Sequence, residues 1–216
     1  MKKDLTELVF VLDRSGSMAG KESDVIGGFN GLLAEQQQKA GDALVTTILF
    51  DDRAELLHDR AAIRGLAPLT GKDYFVRGCT AMLDAVGLAI RKIENAQAHT
   101  AEAERPEKTV VVINTDGMEN ASRHFTFAAV GDMIRKAREE RGWEFLFLGA
   151  NINAEAMADE LFIPRENTVT AFADSEGIQA QFASVNAAVH HFRDFDTAPL
   201  SPDWKDAVEK DRKRRQ

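Results

Sequence analysis

Five oxygen-bearing side chains sit where the sequence pattern expects strands to end and helices to begin. Asp13, Ser15 and Ser17 occupy alternate positions of Asp13-Arg14-Ser15-Gly16-Ser17, directly after the apolar run LVFVL at 8–12. Asp116 follows a second apolar run, VVVI at 110–113, and Thr80 follows Gly78-Cys79 at the head of a helical pattern. Carboxylate and hydroxyl oxygens suit a hard divalent cation. Mg²⁺ or Mn²⁺ would take six of them at about 2.0–2.2 Å, and Ca²⁺ is the larger alternative. Gly16 permits the tight turn that would bring the three side chains of the first loop onto one ion. Two carboxylates neutralise a divalent ion formally, while three hydroxyls add no charge. Such an ion stays electrophilic and accepts an anionic oxygen from outside the chain. Taken alone, Asp13 and Ser15 also read as turn formers. Their place behind a buried strand, with Asp116 and Thr80 in matching positions, favours the metal.

The elements that must position these residues alternate. Runs at 8–12, 44–50, 110–113, 145–148 and 169–172 read as strands, the first and third apolar enough to be buried on both faces of a parallel sheet. The more polar stretch 53–58 reads as a hairpin partner at a sheet edge. Helices are expected over 24–39 with Ser23 as its cap, from Thr80 onward, over 125–141 with a stop at Gly142, and over 154–161. A last helix is expected behind a Ser175 cap, with Ile178, Phe182, Val185, Val189 and Phe192 as its core stripe. Residues 99–108 read as a solvated loop. Strands alternating with helices imply an α/β domain with a mostly parallel sheet between helical layers. Ligands of such sheets bind beyond the carboxyl ends of the strands, the edge at which Asp13 and Asp116 fall.

Three segments, 8–18 (LVFVLDRSGSM), 78–85 (GCTAMLDA) and 113–117 (INTDG), resemble the conserved segments of the von Willebrand factor type A domain. The resemblance implies a metal-ion-dependent adhesion site made of Asp13, Ser15 and Ser17 from the first loop, Thr80 from the second and Asp116 from the third, with all five positions matching. It also implies a Rossmann-like three-layer sandwich around a mostly parallel six-stranded sheet with one antiparallel edge strand, over residues 1–195, leaving 196–216 as a basic tail. Domains of this family bind protein ligands, often through a Glu or Asp that completes the metal shell. Cytosolic bacterial members work beside AAA+ ATPases or in stress-resistance clusters, and the chain is similar to that type. It is therefore expected to be a Mg²⁺-dependent protein-binding module and not an enzyme.

Composition fits that expectation. The 216 residues carry 27 Lys and Arg against 35 Asp and Glu, a formal charge of −8, which disfavours general nucleic-acid binding. A single cysteine, Cys79, excludes an internal disulfide and a multi-thiolate zinc cage, and reads as a small packing residue. The polar start and the lack of any long apolar stretch point away from a secretory signal or a bilayer span, so a cytoplasmic location is expected. The rival reading is a Mg²⁺-dependent phosphatase of the haloacid-dehalogenase kind with Asp13 as nucleophile. It requires a second aspartate two residues on as general acid, and that position is Ser15. The Gly16–Lys21 stretch has too few residues between its glycines for a nucleotide-binding loop. Neither serine of the first loop has the flanking glycines of a hydrolase elbow. His190 and His191, adjacent on a helix, point about 100° apart and do not share a ligand. Glu119, three residues after Asp116, could reach the rim of the site. The segment 205–216 holds six basic and three acidic residues, opposite in sign to the whole chain, and reads as a solvated terminal helix.

Overall fold

Leu8, Phe10 and Leu12 alternate with Val9 and Val11, and none is more than 1% exposed. A strand with no polar face belongs at the centre of a sheet. The computed structural model, which describes residues 1–150, 152–194 and 200–215, places it there. The strands are β1 (Lys2–Asp13), β2 (Asp42–Phe50), β3 (Ala54–Ala62), β4 (Pro106–Thr115), β5 (Glu144–Ala150) and β6 (Thr168–Ala171). They form one sheet in the order β3-β2-β1-β4-β5-β6. All neighbours are parallel except the β2–β3 hairpin, whose second strand is the antiparallel edge.

Helices α1 (Glu22–Gln38), α5 (Ser175–Asp194) and α6 (Asp206–Arg215) cover the face carrying Leu8, Phe10 and Leu12. Helices α2 (Met82–Ala98), α3 (Phe127–Arg141) and α4 (Ala154–Glu160) cover the face carrying Val9 and Val11. The result is the expected three-layer α/β sandwich. Gly28 lets α1 approach α5, since a β-carbon there would lie 2.2 Å from the Phe182 ring. The last expected helix has its stripe buried as read: Ile178, Phe182, Val185, Val189 and Phe192 are all in the core.

Several boundaries differ from expectation, each for a local reason. β1 starts at Lys2 rather than Leu8, because the buried Glu7 carboxylate is met by Arg60 of β3, whose Nε lies 3.1 and 3.0 Å from its two oxygens. β4 likewise starts inside the expected loop, where Lys2 N donates to Arg105 O and Lys2 pairs with Pro106. Helix α1 begins at Glu22, after Lys21 and not after a Ser23 cap. Asp174, not Ser175, caps α5 by accepting from Gly177 N at 2.9 Å; Ser175 instead donates to Asp24 of α1 at 2.7 Å. Helix α2 begins two residues beyond Thr80. The glycine stop of α3 is as read, with Gly142 left-handed (φ 67°).

The expected division between residues 195 and 196 lies outside the described residues. Beyond it the chain packs: Trp204 and Val208 join the α1–α5 face, and Trp204 Nε1 donates to Glu166 O at 3.0 Å. The basic helix α6 is held through ion pairs from Arg215 to Asp174 and from Arg214 and Arg215 to Glu176, while Asp211 of the same helix fixes the Arg215 side chain. Among the described residues, no helix is long and apolar enough to cross a membrane.

From β1 the chain goes to β2 on one side, and after the hairpin it returns through α2 to β4 on the other. The crevice beyond the carboxyl ends of β1 and β4 is therefore the topological switch point, where open α/β sheets bind ligands.

Candidate metal centre

Asp13 is the last residue of β1 and is 1% exposed. Its Oδ1 accepts from Ser15 N at 2.7 Å, and its Oδ2 accepts from Thr115 Oγ1, at the end of β4, at 2.6 Å. Burial pushes this carboxyl up from its ordinary range, more than the hydrogen bonds from Thr115 and Ser15 pull it down; the nearby Asp116 charge adds to the rise. Tyr74 donates its hydroxyl to Asp13 O. Burial, then the charges of Asp13 and Asp116, push that hydroxyl well above its ordinary range, so it remains a proton donor.

Past Asp13 the chain makes a single 3-10 turn, Gly16–Met18, which sets Ser15 Oγ 3.1 Å from Ser17 Oγ. Ser17 Oγ donates to Asp116 Oδ1. Thr80 enters from the segment before α2, where its N donates to Asn120 Oδ1 at 2.9 Å and its O accepts from Asn120 N at 3.0 Å. Gly117 reports how closely these groups converge. A β-carbon there would lie 3.1 Å from Thr80 Oγ1 and 3.2 Å from Ser17 Oγ. Glycine keeps that cradle open. The five residues picked out in sequence thus lie in one crevice, with two carboxylates and three hydroxyls toward it. This all-oxygen donor set fits a hard divalent cation and not a soft one. Among the described residues, no cluster of three or more His, Cys, Asp or Glu side chains is arranged to hold a metal.

Several neighbours of this site escaped the sequence reading. Thr115 joins Asp13 to β4, and its only signal was its place immediately before Asp116. Lys21 Nζ lies 2.5 Å from Asp116 Oδ2 and 2.6 Å from Ser17 O; its four-residue spacing from Ser17 was the available clue. Arg14 points away from the crevice into the protein, fully buried against Asp51 at 2.8 Å and reaching Glu55 at 2.5 Å. Arg77 adds a second guanidinium 2.6 Å from Asp51. The backbone ties the same loops together through Gly16 N to Gly78 O at 3.1 Å and Arg77 N to Arg14 O at 3.0 Å. Gly78 is left-handed (φ 69°), as this close crossing needs.

One expectation gains detail and one changes. Glu119 braces the loop that follows Asp116, next to Asn120. Its carboxylate accepts from Leu83 N at the start of α2 (2.9 Å) and from Ala121 N and Ser122 N (3.0 and 2.8 Å). Cys79 is exposed rather than packed, in the turn that Gly78 makes. The histidines lie elsewhere: His58 bonds Thr47 Oγ1 at 3.0 Å, and His190 faces Glu35 at 3.8 Å.

No family model matches the sequence, and no curated protein matches it. Solved structures do. A mutant of the PilB minor pilin from Streptococcus sanguinis is similar at a TM-score of 0.67 and 12% identity, covering 90% of this chain and 63% of that one. The vWF domain of the type V pili tip protein Mfa5 from Porphyromonas gingivalis is similar at 0.60 and 11%, covering 90% and 98%. Proximal thread matrix protein 1 from the mussel byssus, with a zinc-occupied MIDAS motif, is similar at 0.55 and 19%, covering 84% and 44%. The chain spans less than two thirds of the length of the pilin and of the byssus protein. The likeness is one of fold: this is a von Willebrand factor type A-like α/β sandwich.

Proposed function

We propose that this chain is a divalent-metal-dependent protein-binding module, in which Asp13, Ser15, Ser17, Thr80 and Asp116 hold Mg²⁺ and an acidic residue of a partner protein completes the ion's shell. One observation carries the reading. Oxygens from three separate loops converge at the β1/β4 switch point, with Thr80 Oγ1 and Ser17 Oγ both near 3 Å from the β-carbon that Gly117 lacks. The zinc-occupied motif of the byssus protein supports it by analogy of fold. When bound, the ion supplies a localised positive charge able to accept a carboxylate oxygen. The chain's own residues do the rest: Thr115 and Ser15 N orient Asp13, Asn120 orients Thr80, and Ser17 orients Asp116. The phosphatase reading suffers from the same geometry. Asp13 is 1% exposed with both oxygens already accepting hydrogen bonds, which suits an anchoring ligand better than a nucleophile.

The test is thermal unfolding with and without metal, joined to capture of a partner from source lysate with and without chelator. Mn²⁺ or Mg²⁺ at about a hundredfold excess over Kd should raise Tm by about 5–10 °C, with no turnover of phosphate esters. Asp13→Ala should lose both the metal-induced shift and the chelator-sensitive capture while remaining folded. Phosphatase activity abolished by Asp13→Asn would instead establish the enzyme.

A further inference from the structure

The candidate centre holds a cation of the chain's own. Lys21 immediately precedes α1, and its ammonium is fixed between Asp116 Oδ2 at 2.5 Å and Ser17 O at 2.6 Å. The side chain is only 16% exposed, so the contact is not a loose surface pair. Ser17 Oγ takes the other Asp116 oxygen. Both oxygens of this carboxylate are thus engaged, one by a hydroxyl and one by an ammonium.

Formal charge shows what that ammonium does. Asp13 and Asp116 together with Lys21 carry −1. A divalent cation brings the site to +1, and an entering carboxylate returns it to zero. With a neutral side chain at position 21, the same cation would bring the site only to zero, and the carboxylate would leave it at −1. Coulomb interactions over these distances in a partly buried crevice are screened far less than at the open surface.

We propose that Lys21 regulates this site: its ammonium competes with the divalent cation for Asp116 and, once the cation is bound, supplies the excess positive charge that draws a partner's acidic side chain. The proposal rests on the metal-binding reading and deepens it, by giving control of metal dependence to a residue outside the ligand set. Lys21 weakens the first binding event and strengthens the second. A residue that merely supported the fold would move both in the same direction.

The experiment uses the full chain, its Lys21→Gln and Lys21→Arg variants, and Mn²⁺ as the metal probe. Free Mn²⁺ is titrated by electron paramagnetic resonance. A short peptide with a single Glu, its termini blocked, is then titrated calorimetrically into Mn²⁺-saturated protein, and thermal unfolding checks that each variant is folded. Lys21→Gln should bind Mn²⁺ about five- to tenfold more tightly and the peptide about fivefold more weakly, the size expected of one partly buried charge pair. Lys21→Arg, which keeps the charge, should stay within about twofold of the wild type in both. If the wild type binds Mn²⁺ and Lys21→Gln binds it no more tightly, the role of Lys21 is overturned while the metal site stands. Tighter Mn²⁺ binding with unchanged or stronger peptide binding overturns the proposed attraction of the partner. If neither the wild type nor the variants bind Mn²⁺, the metal-binding reading falls as well.

Discussion

Arg14 stands between two residues of the candidate metal loop, yet its side chain turns inward and makes a fully buried ion pair with Asp51. The Arg14 and Arg77 guanidinium carbons each lie 5.2 Å from the Phe75 ring centre, so the aromatic ring packs against both cations. The network thereby ties the Asp13 loop to the segment leading to Thr80. Burial pushes the Asp51 carboxyl up, but its hydrogen-bonded contact with Asp52 and the hydrogen bonds from Arg77 and Arg14 together outweigh it and hold the group below its ordinary range. A depressed carboxylate stabilises the fold above its unfolded pKa of about 3.9, and that contribution is lost as pH falls through the lower folded value. Asp51→Ala leaves the buried Arg14 with the half-exposed Glu55 as its remaining carboxylate partner, and should cost about 3 kcal/mol near pH 7 in urea unfolding, the low end for breaking a buried pair. The gap between variant and wild type should narrow as the pH is taken below 4. A gap that widened in acid would show that Asp51 is not the charge stabilising Arg14. None of this was legible in sequence, because Arg14 and Asp51 are 37 residues apart and only the pairing of β1 with β2 brings them together. The five site oxygens were legible for the opposite reason: each sits beside a strand end or helix start that announces itself by hydrophobic pattern.

At the level of elements, what read clearly were segments whose own composition dictates burial. The runs at 8–12 and 110–113 became β1 and β4, and the polar stretch 53–58 became part of the antiparallel edge. Errors gathered where a distant partner decides. Lys2 to Glu7 look too polar for a strand until Arg60 of β3 reaches Glu7 across the intervening β2. Ser23 and Ser175 are good caps by type, but Lys21 is drawn to Asp116, and Ser175 is drawn across to Asp24. The C-terminal segment is the helix its charge suggests, with Lys210, Arg212, Lys213 and Arg214 exposed, but Arg214 and Arg215 reach Glu176 and Asp174 of the α5 region, and Trp204 and Val208 are buried beside α5. Trp204 and Val208 thus pack into the α1–α5 face of the sandwich. Trp204→Ala removes a side chain that is 3% exposed and should cost about 3–5 kcal/mol. Unfolding should remain a single transition when followed by both far-ultraviolet circular dichroism and the fluorescence of Trp143. A loss below about 1 kcal/mol would mean that Trp204, just ahead of α6, anchors the C-terminal segment only weakly.

The whole molecule carries a formal charge of −8, which bears directly on the proposed binding of an acidic partner. Charges spread over the surface act together only when screening is weak, and the Debye length falls from about 30 Å at 0.01 M salt to about 8 Å at 0.15 M. At low ionic strength an approaching acidic segment meets the full negative field of the chain. Near physiological ionic strength it meets only charges within about 8 Å of its landing point. At the β1/β4 crevice the bound ion, Asp13, Asp116 and Lys21 have a formal sum of +1. Long-range repulsion and short-range attraction are therefore separated by salt. For a labelled peptide rich in Glu and Mn²⁺-loaded protein, the association rate in stopped-flow fluorescence should rise from 0.01 to 0.15 M NaCl and then level off. Binding that depends on one exposed positive patch shows the reverse trend, with rates falling as salt is added. A falling rate would mean that a basic surface elsewhere, such as the Arg212–Arg215 end of α6, captures the peptide. Repeating the titration with Asp13→Ala separates the two cases, because only association through the crevice requires the ion.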